Sequence, residues 1–310
     1  MNIALMNVFL IYVIKLKNFL NCMFLEFSIH FIHSHHSPHT GKTMNNVNKT
    51  LYIPLYGKAF VSKKGIILHD EKAEEIWSAE GFKLKGKSRS KWLAYYMGMR
   101  SAVFDRWLKE KMSAVNDAVI LHIGCGMDSR ALRIGETEHL WYDIDFPEVI
   151  NERKKYYAES GKYHMLGIDV RSADFTENIV GCENAIIVME GVSMYLKTEE
   201  LKLLLARLSA HFGHVHILMD SYTLLAAKMS KFKNPINDVG VTTVYGLDDP
   251  RILEENTGAA FIKEHEMTPD ILINELKGSE KSVFKKLFAG KFSKKLYRLY
   301  EFGCGDAYEK

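Results

Sequence analysis

Two hydrophobic rhythms divide this chain. From 49 to 115 apolar residues recur at helical spacing; from 118 onward short apolar runs alternate with helical stretches. "DEKAEEIWSAEG" (70–81) opens on an Asp cap and closes on a glycine, and "KWLAYYMGMRSAVFDRWLKEKM" (91–112) is a long amphipathic helix. Beyond these the pattern predicts strands at 118–123, 139–144, 163–166, 185–190 and 215–220. Helices are predicted at 129–134, 147–159 and 198–211, the second with proline in its first turn and the third introduced by "KTEE". Two weaker strand patterns, "AAFIKEH" and "KLYRLYEFG", follow. This alternation predicts an α/β fold, a doubly wound and mostly parallel sheet with helices on both faces, behind an N-terminal helical segment. The stretch between the fifth strand and Asp249, a helix and then "KNPINDVG", is the expected lid or substrate wall.

The first 43 residues break the pattern. Their cleanest apolar run, 3–14, is too short to span a bilayer, and no signal-peptide cleavage site follows. His33, His35, His36 and His39 lie in a polar loop without the frame a metal site needs, and "GKT" at 41–43 lacks the upstream glycine of a phosphate loop. Met44 reads like an ordinary protein start. The expectation is therefore a non-conforming extension over 1–43, disordered or a mis-assigned start, with a membrane anchor as runner-up. Residues 44–310 form one domain, with no metal and no membrane contact.

Composition adds limits. At 310 residues, 47% hydrophobic and 25% charged, the chain can bury a large core. A net charge of +3 is too small to imply nucleic acid, and the lysine run at 285–295 reads as a solvated face. Cys22, Cys125, Cys182 and Cys304 have neither zinc nor redox spacing, which points to free thiols in a reducing cytoplasm.

The chemistry concentrates in "VILHIGCGMDSRALRI" (119–134). An apolar strand runs into Gly124 and Gly126, where backbone must approach a ligand and Cβ atoms are excluded. A dinucleotide fold wants a third glycine at the position of Ser129, so NAD is a weak match. "WYDIDFPEVI" places Asp145 21 residues after Gly124, where a carboxylate can accept both ribose hydroxyls; Asp143 competes, since both point to the same side of a strand. Asp169, in "GIDVR", can accept from an adenine amino group or simply cap a turn. Glu190, in "VMEGVSMYL", ends an apolar strand, and a buried carboxylate needs a partner. Arg100 reads as a surface charge or a partner of Asp105, and Cys125 tempts a nucleophile reading. His122 and His164 read as satisfied core or edge histidines.

"LHIGCGMDSRALRI", "WYDIDFPEVI" and "MEGVSMYL", in this order and spacing, resemble the leucine carboxyl methyltransferase family. "IPLYGKAFVSKKGIILHDEKAEEI" and "MRSAVFDRWL" resemble its bacterial branch of polyketide O-methyltransferases of the tetracenomycin type. The resemblance implies a class I methyltransferase fold with S-adenosyl-L-methionine as cofactor. It implies that Arg100 pairs with the methionine carboxylate and that Gly124 and Gly126 approach the methionine and ribose part. Asp145 would hold the ribose, Asp169 and Val170 the adenine, and Glu190 the methionine amino group. Tyr195 is implied near the methyl group. Lys58 stands where related bacterial sequences more often carry arginine.

The expected reaction is methyl transfer to a carboxyl or hydroxyl oxygen of a small-molecule acceptor, with no general base visible. The alternatives are a non-catalytic cofactor-binding module or a protein carboxyl methyltransferase.

Overall fold

The computed structural model describes residues 51–79, 90–135, 137–230 and 243–305, the side chain of Phe292 excepted. The extension at 1–43, the start at Met44 and the "KNPINDVG" turn lie outside the described residues.

Seven strands form one sheet in the order β3-β2-β1-β4-β5-β7-β6. They are β1 (Ala118–Ile123), β2 (Leu140–Asp145), β3 (Tyr163–Gly167), β4 (Asn184–Met189), β5 (His214–Tyr222), β6 (Ala259–His265) and β7 (Tyr297–Cys304). The first five run parallel; β7 is antiparallel to both β5 and β6. Every residue of β1 is buried, as suits a central strand covered on two faces. The edge strand β6 is half exposed and carries Lys263 and Glu264 outward.

The helices are α1 (Tyr52–Lys63), α2 (Glu71–Ala79), α3 (Lys91–Ala114), α4 (Arg130–Ile134), α5 (Pro147–Arg153), α6 (Thr198–His211), α7 (Leu224–Ser230), α8 (Asp270–Ile273) and α9 (Gly278–Leu287). The Asp70 cap is present, its Oδ1 accepting from Ala73 N at 2.9 Å. The helix expected over 147–159 ends instead at Arg153. There the N–H groups of Tyr156 and Tyr157 both turn back to the Arg153 carbonyl, at 2.9 and 3.1 Å.

Strand alternation sorts the interior into two layers. Val119, Leu121, Ile187 and Met219 pack on the α6 side. Ile120, Ile186, Val188 and Leu218 pack on the α3 side. The same alternation sends His122, Glu190 and Asp220 toward α3. Register aligns the strand ends as well: Ile123 pairs with Ile144 and Met189, and Met189 pairs with Met219. Gly124, Asp145, Glu190 and Asp220 therefore form one row along the carboxyl edge, where ligands bind in open α/β sheets.

Helices α1 and α3 cover that edge in close contact. At Gly98 of α3, an added Cβ would stand 2.7 Å from Val61 Cγ2 and 3.0 Å from its Cγ1. Overpacking of this kind costs about 1–3 kcal/mol, against a helix-propensity gain of about 1 kcal/mol or less. Gly98→Ala should lower stability by about 1–2 kcal/mol in urea titration, and adding Val61→Ala should recover most of it. A single variant as stable as wild type would show that the contact is not tight.

Candidate active site

The turn after β1 is built from backbone. Gly124 (φ +68°) and Gly126 (φ +51°) both lie in the left-handed region, and a Cβ on Gly124 would run into Val192. Gly124 N and Cys125 N donate to Ile144 O at 2.7 and 3.1 Å, which ties the turn to the end of β2. Asp145 Oδ2 accepts from Gly126 N and its Oδ1 from Phe146 N, both at 2.8 Å. Burial nevertheless pushes the Asp145 carboxyl up to about 6, against those two amides.

Asp143 and Asp145 differ in how fully their oxygens are engaged. Asp143 is fully buried and its oxygens accept from His122 Nδ1 (3.0 Å), Trp141 Nε1 (2.9 Å), Tyr163 Oη (2.5 Å) and Arg153. It has no acceptor capacity to spare. His122 is a core histidine as expected, but it also reaches the cavity wall. Burial lowers its pKa in spite of Asp143, so the ring is neutral at pH 7.

On the α3 side Arg100 spans two carboxylates. Its Nε and Nη2 lie 3.1 and 2.9 Å from Glu190 Oε1, and its Nη1 lies 3.1 Å from Asp220 Oδ2. Tyr297 Oη accepts from Arg100 Nη1 at 2.7 Å and donates to Asp220 Oδ2 at 2.6 Å. Asp105 pairs with Arg130 and Arg133 rather than with Arg100.

These groups join a larger buried network. Lys58 reaches Asp128 (3.2 Å), Arg130 reaches Asp105, Asp128 and Glu190, and Arg133 reaches Asp70, Asp105 and Asp128. Burial alone would raise Glu190 and Asp128. Arg100 and Arg130 outweigh it and hold Glu190 at about 2; Arg133, Lys58 and Arg130 hold Asp128 well below the carboxylate range. Asp220 differs: burial raises it despite Arg100 and the Tyr297 hydrogen bond.

Arg100, Gly124, Gly126, Glu190 and Tyr195 line one cavity, with Lys58, Met97, Met194, Tyr222 and Tyr297. Asp145 is not among the lining residues and meets them only through its hydrogen bond from Gly126 N. Asp169 and Val170 are not in its wall. Asp169 is clasped by Arg171, Nε to Oδ1 at 2.9 Å, which lowers its pKa, and Val170 packs on the α6-side core. Cys125 is buried with its thiol pushed up by burial, which removes it as a nucleophile.

The sequence profile of the leucine carboxyl methyltransferase family matches residues 42–209, more than half of the chain. The chain belongs to this family. The leucine carboxyl methyltransferase match is joined by two relatives. The tetracenomycin polyketide synthesis O-methyltransferase TcmP of Streptomyces glaucescens is 26% identical over 243 residues, covering 77% of this chain and 90% of the relative. The S-adenosyl-L-methionine-dependent methyltransferase dpfgK of Gibberella zeae is 25% identical over 254 residues, covering 72% and 82%. A structure from Thermobifida fusca YX, provisionally assigned as a methyltransferase, shares the fold at 13% identity and a TM-score of 0.50, over 69% of this chain and 82% of that one. The protein is an S-adenosylmethionine-dependent methyltransferase of α/β fold.

The residues present fit that cofactor. Among the described residues the network sets the cations Lys58, Arg100, Arg130 and Arg133 against Asp70, Asp105, Asp128, Glu190 and Asp220, leaving one carboxylate in excess. S-adenosylmethionine brings a sulfonium, an ammonium and a carboxylate, a net charge of one positive. A dinucleotide fits poorly: Ser129 stands in place of the third glycine, and its hydroxyl donates to Asp70.

Asp220 and Tyr297 escaped the sequence reading. "HILMD" ends in an acid just as "IIVME" does, so Asp220 was readable from its strand end. Tyr297 was not, because only the antiparallel insertion of β7 brings it beside β5.

Arg130, like Arg133, meets three carboxylates. Arg130→Met should destabilise the fold, but by less than the about 3–5 kcal/mol of a buried charge left with no partner, because Asp105 keeps Arg133 and Glu190 keeps Arg100. Urea titration checks this, and a loss below about 1 kcal/mol would show that the remaining guanidinium groups compensate these carboxylates by themselves.

Proposed function

We propose that this enzyme methylates a carboxylate oxygen of a small, largely apolar molecule, and that the residues around the glycine turn hold its cofactor. The observation that carries the acceptor choice is the absence, among the described cavity residues, of a base ready at neutral pH. Glu190 is held by two guanidinium groups. His122 spends Nδ1 on Asp143 and turns Nε2 toward Arg130, 3.4 Å away. Burial pushes the phenols of Tyr222 and Tyr297 far above their usual range. A carboxylate acceptor is already ionised and needs no base, whereas an alcohol does.

When bound, the cofactor supplies an activated methyl group on its sulfonium. The chain's own part is alignment and exclusion of water. Asp145 accepts from the ribose hydroxyls, Gly124 and Gly126 let backbone approach, Glu190 accepts from the ammonium, and Arg100 donates to the carboxylate. Asp169 and Val170 frame the adenine, for which Asp169 must loosen its hold on Arg171. Leu51, Ile53, Pro54, Leu93, Met97 and Met194 form the apolar part of the cavity wall, and Tyr195 stands with them. That wall supports a polyketide-like or other hydrophobic acceptor. The described cysteines are free thiols, which supports the cytoplasmic setting, and no described helix is long and apolar enough to cross a membrane. We assign 44–310 to a single methyltransferase domain.

Two outcomes test this. Calorimetry should show tight binding of S-adenosylhomocysteine and none of NAD. Affinity should be flat above pH 6 and fall below it, as Asp145, whose carboxyl sits at about 6, takes a proton. The sign for stability is opposite. A carboxyl raised above its unfolded value stabilises the fold only at low pH, a contribution lost as pH rises through about 6. Asp145→Asn should therefore weaken binding about tenfold to a hundredfold without a large loss of stability, and should abolish the pH dependence. Unchanged affinity in the variant would discard the ribose role.

At saturating cofactor, turnover on the acceptor should stay flat from about pH 6.5 to 8.5, with only a modest change in Tyr195→Phe. Labelled methyl transfer to a panel of aromatic carboxylic acids and phenols reads this. A rate rising tenfold per pH unit, lost in Tyr195→Phe, would make Tyr195 a base and the acceptor a hydroxyl.

A further inference from the structure

Arg100 faces two carboxylates that differ in how far they can release it. Glu190 has other partners: Arg130 on Oε2, and Ser101 Oγ, which lies 2.8 Å from Oε1 and 3.1 Å from Oε2. Asp220 is fully buried, and Arg100 is its one ion-pair partner among the described residues. Its remaining partners are neutral donors, Gly191 N at 2.7 Å and Tyr297 Oη at 2.6 Å. A buried carboxylate stripped of its only cation is costly, whereas one that keeps a second guanidinium is not. The guanidinium is a rigid planar fork, so fixing its Nη1 corner also fixes the direction in which the Nε–Nη2 edge points.

We propose that Tyr297 and Asp220 are positioning residues for the amino-acid end of the cofactor. They pin the Nη1 corner of Arg100, so the edge now closed on Glu190 is the one that opens to a carboxylate. In the ligand-free site Arg100 and Glu190 neutralise each other; on loading, Glu190 stays with Arg130 and Ser101 while the freed edge of Arg100 meets the incoming carboxylate. Without the pin, the fork follows Glu190 and the edge is misdirected. This rests on the assignment of Arg100 to the methionine carboxylate made above.

Binding of two ligands separates this role from a merely structural one. S-adenosylhomocysteine carries the amino-acid end; 5′-methylthioadenosine lacks it. Tyr297→Phe keeps the ring packed on Tyr96 and Tyr222 and removes only the hydroxyl. It should weaken S-adenosylhomocysteine roughly fivefold and leave 5′-methylthioadenosine within about twofold, as expected for one lost hydrogen bond at one end of the ligand. In an Arg100→Lys background the same substitution should have no further effect, because it acts through the guanidinium. Asp220→Asn should shift the two ligands in the same unequal way, which keeps the test open should Tyr297→Phe fold poorly. Equal weakening of both ligands, or weakening of neither, would overturn the proposal while leaving the cofactor assignment standing. A wild-type protein that binds neither ligand would sink the cofactor assignment itself, and this inference with it.

Discussion

Arg130 has no access to water. Its side chain is completely buried, and it meets Asp105, Asp128 and Glu190 from three different parts of the chain. A guanidinium in that position is tolerable only if its carboxylates arrive in place. The helix α3, the glycine turn and the end of β4 are thus fixed to one another by the cost of leaving any of them unpaired. The cavity inherits its shape from that constraint. The part of the charged wall that Arg130 anchors is set before any ligand enters, which is the preorganisation that methyl transfer needs.

Much of this was legible in the order of residues, because strand periodicity and turn chemistry are local. The five parallel strands, the cap at Asp70 and the glycine turn follow from short-range patterns. The row of strand ends at Gly124, Asp145 and Glu190 follows from those patterns once the strands are in register. What the pattern could not show is who pairs with whom. Arg100 looks like a surface residue on an amphipathic helix, yet its side chain is buried. Lys58 is likewise buried against Asp128. Both depend on contacts between segments far apart in sequence, and a helical wheel carries no information about them. The early end of α5 has the same origin, since Arg153 there reaches Asp143 and the carbonyl of Gly126.

Asp143 and Asp145 show how two carboxylates on one strand take different work. Asp143 is surrounded by donors and held well below the usual range, where Arg153 and His122 overcome the effect of its burial. Asp145, two residues on, receives only backbone amides and keeps a raised pKa. One is committed to the framework and the other retains capacity to accept. The division arises from the surroundings and not from the residue type.

The antiparallel insertion of β7 has a consequence for the order of assembly. Strands β1 to β5 can pair as the chain emerges, but β5 keeps an open edge until β7 arrives, and β7 in turn carries β6. Tyr297 comes with it. A nascent chain that stops short of this strand exposes a sheet edge and leaves the Asp220 carboxylate without its phenolic partner. Site and edge are therefore completed in the same event, and a chain without β7 lacks both.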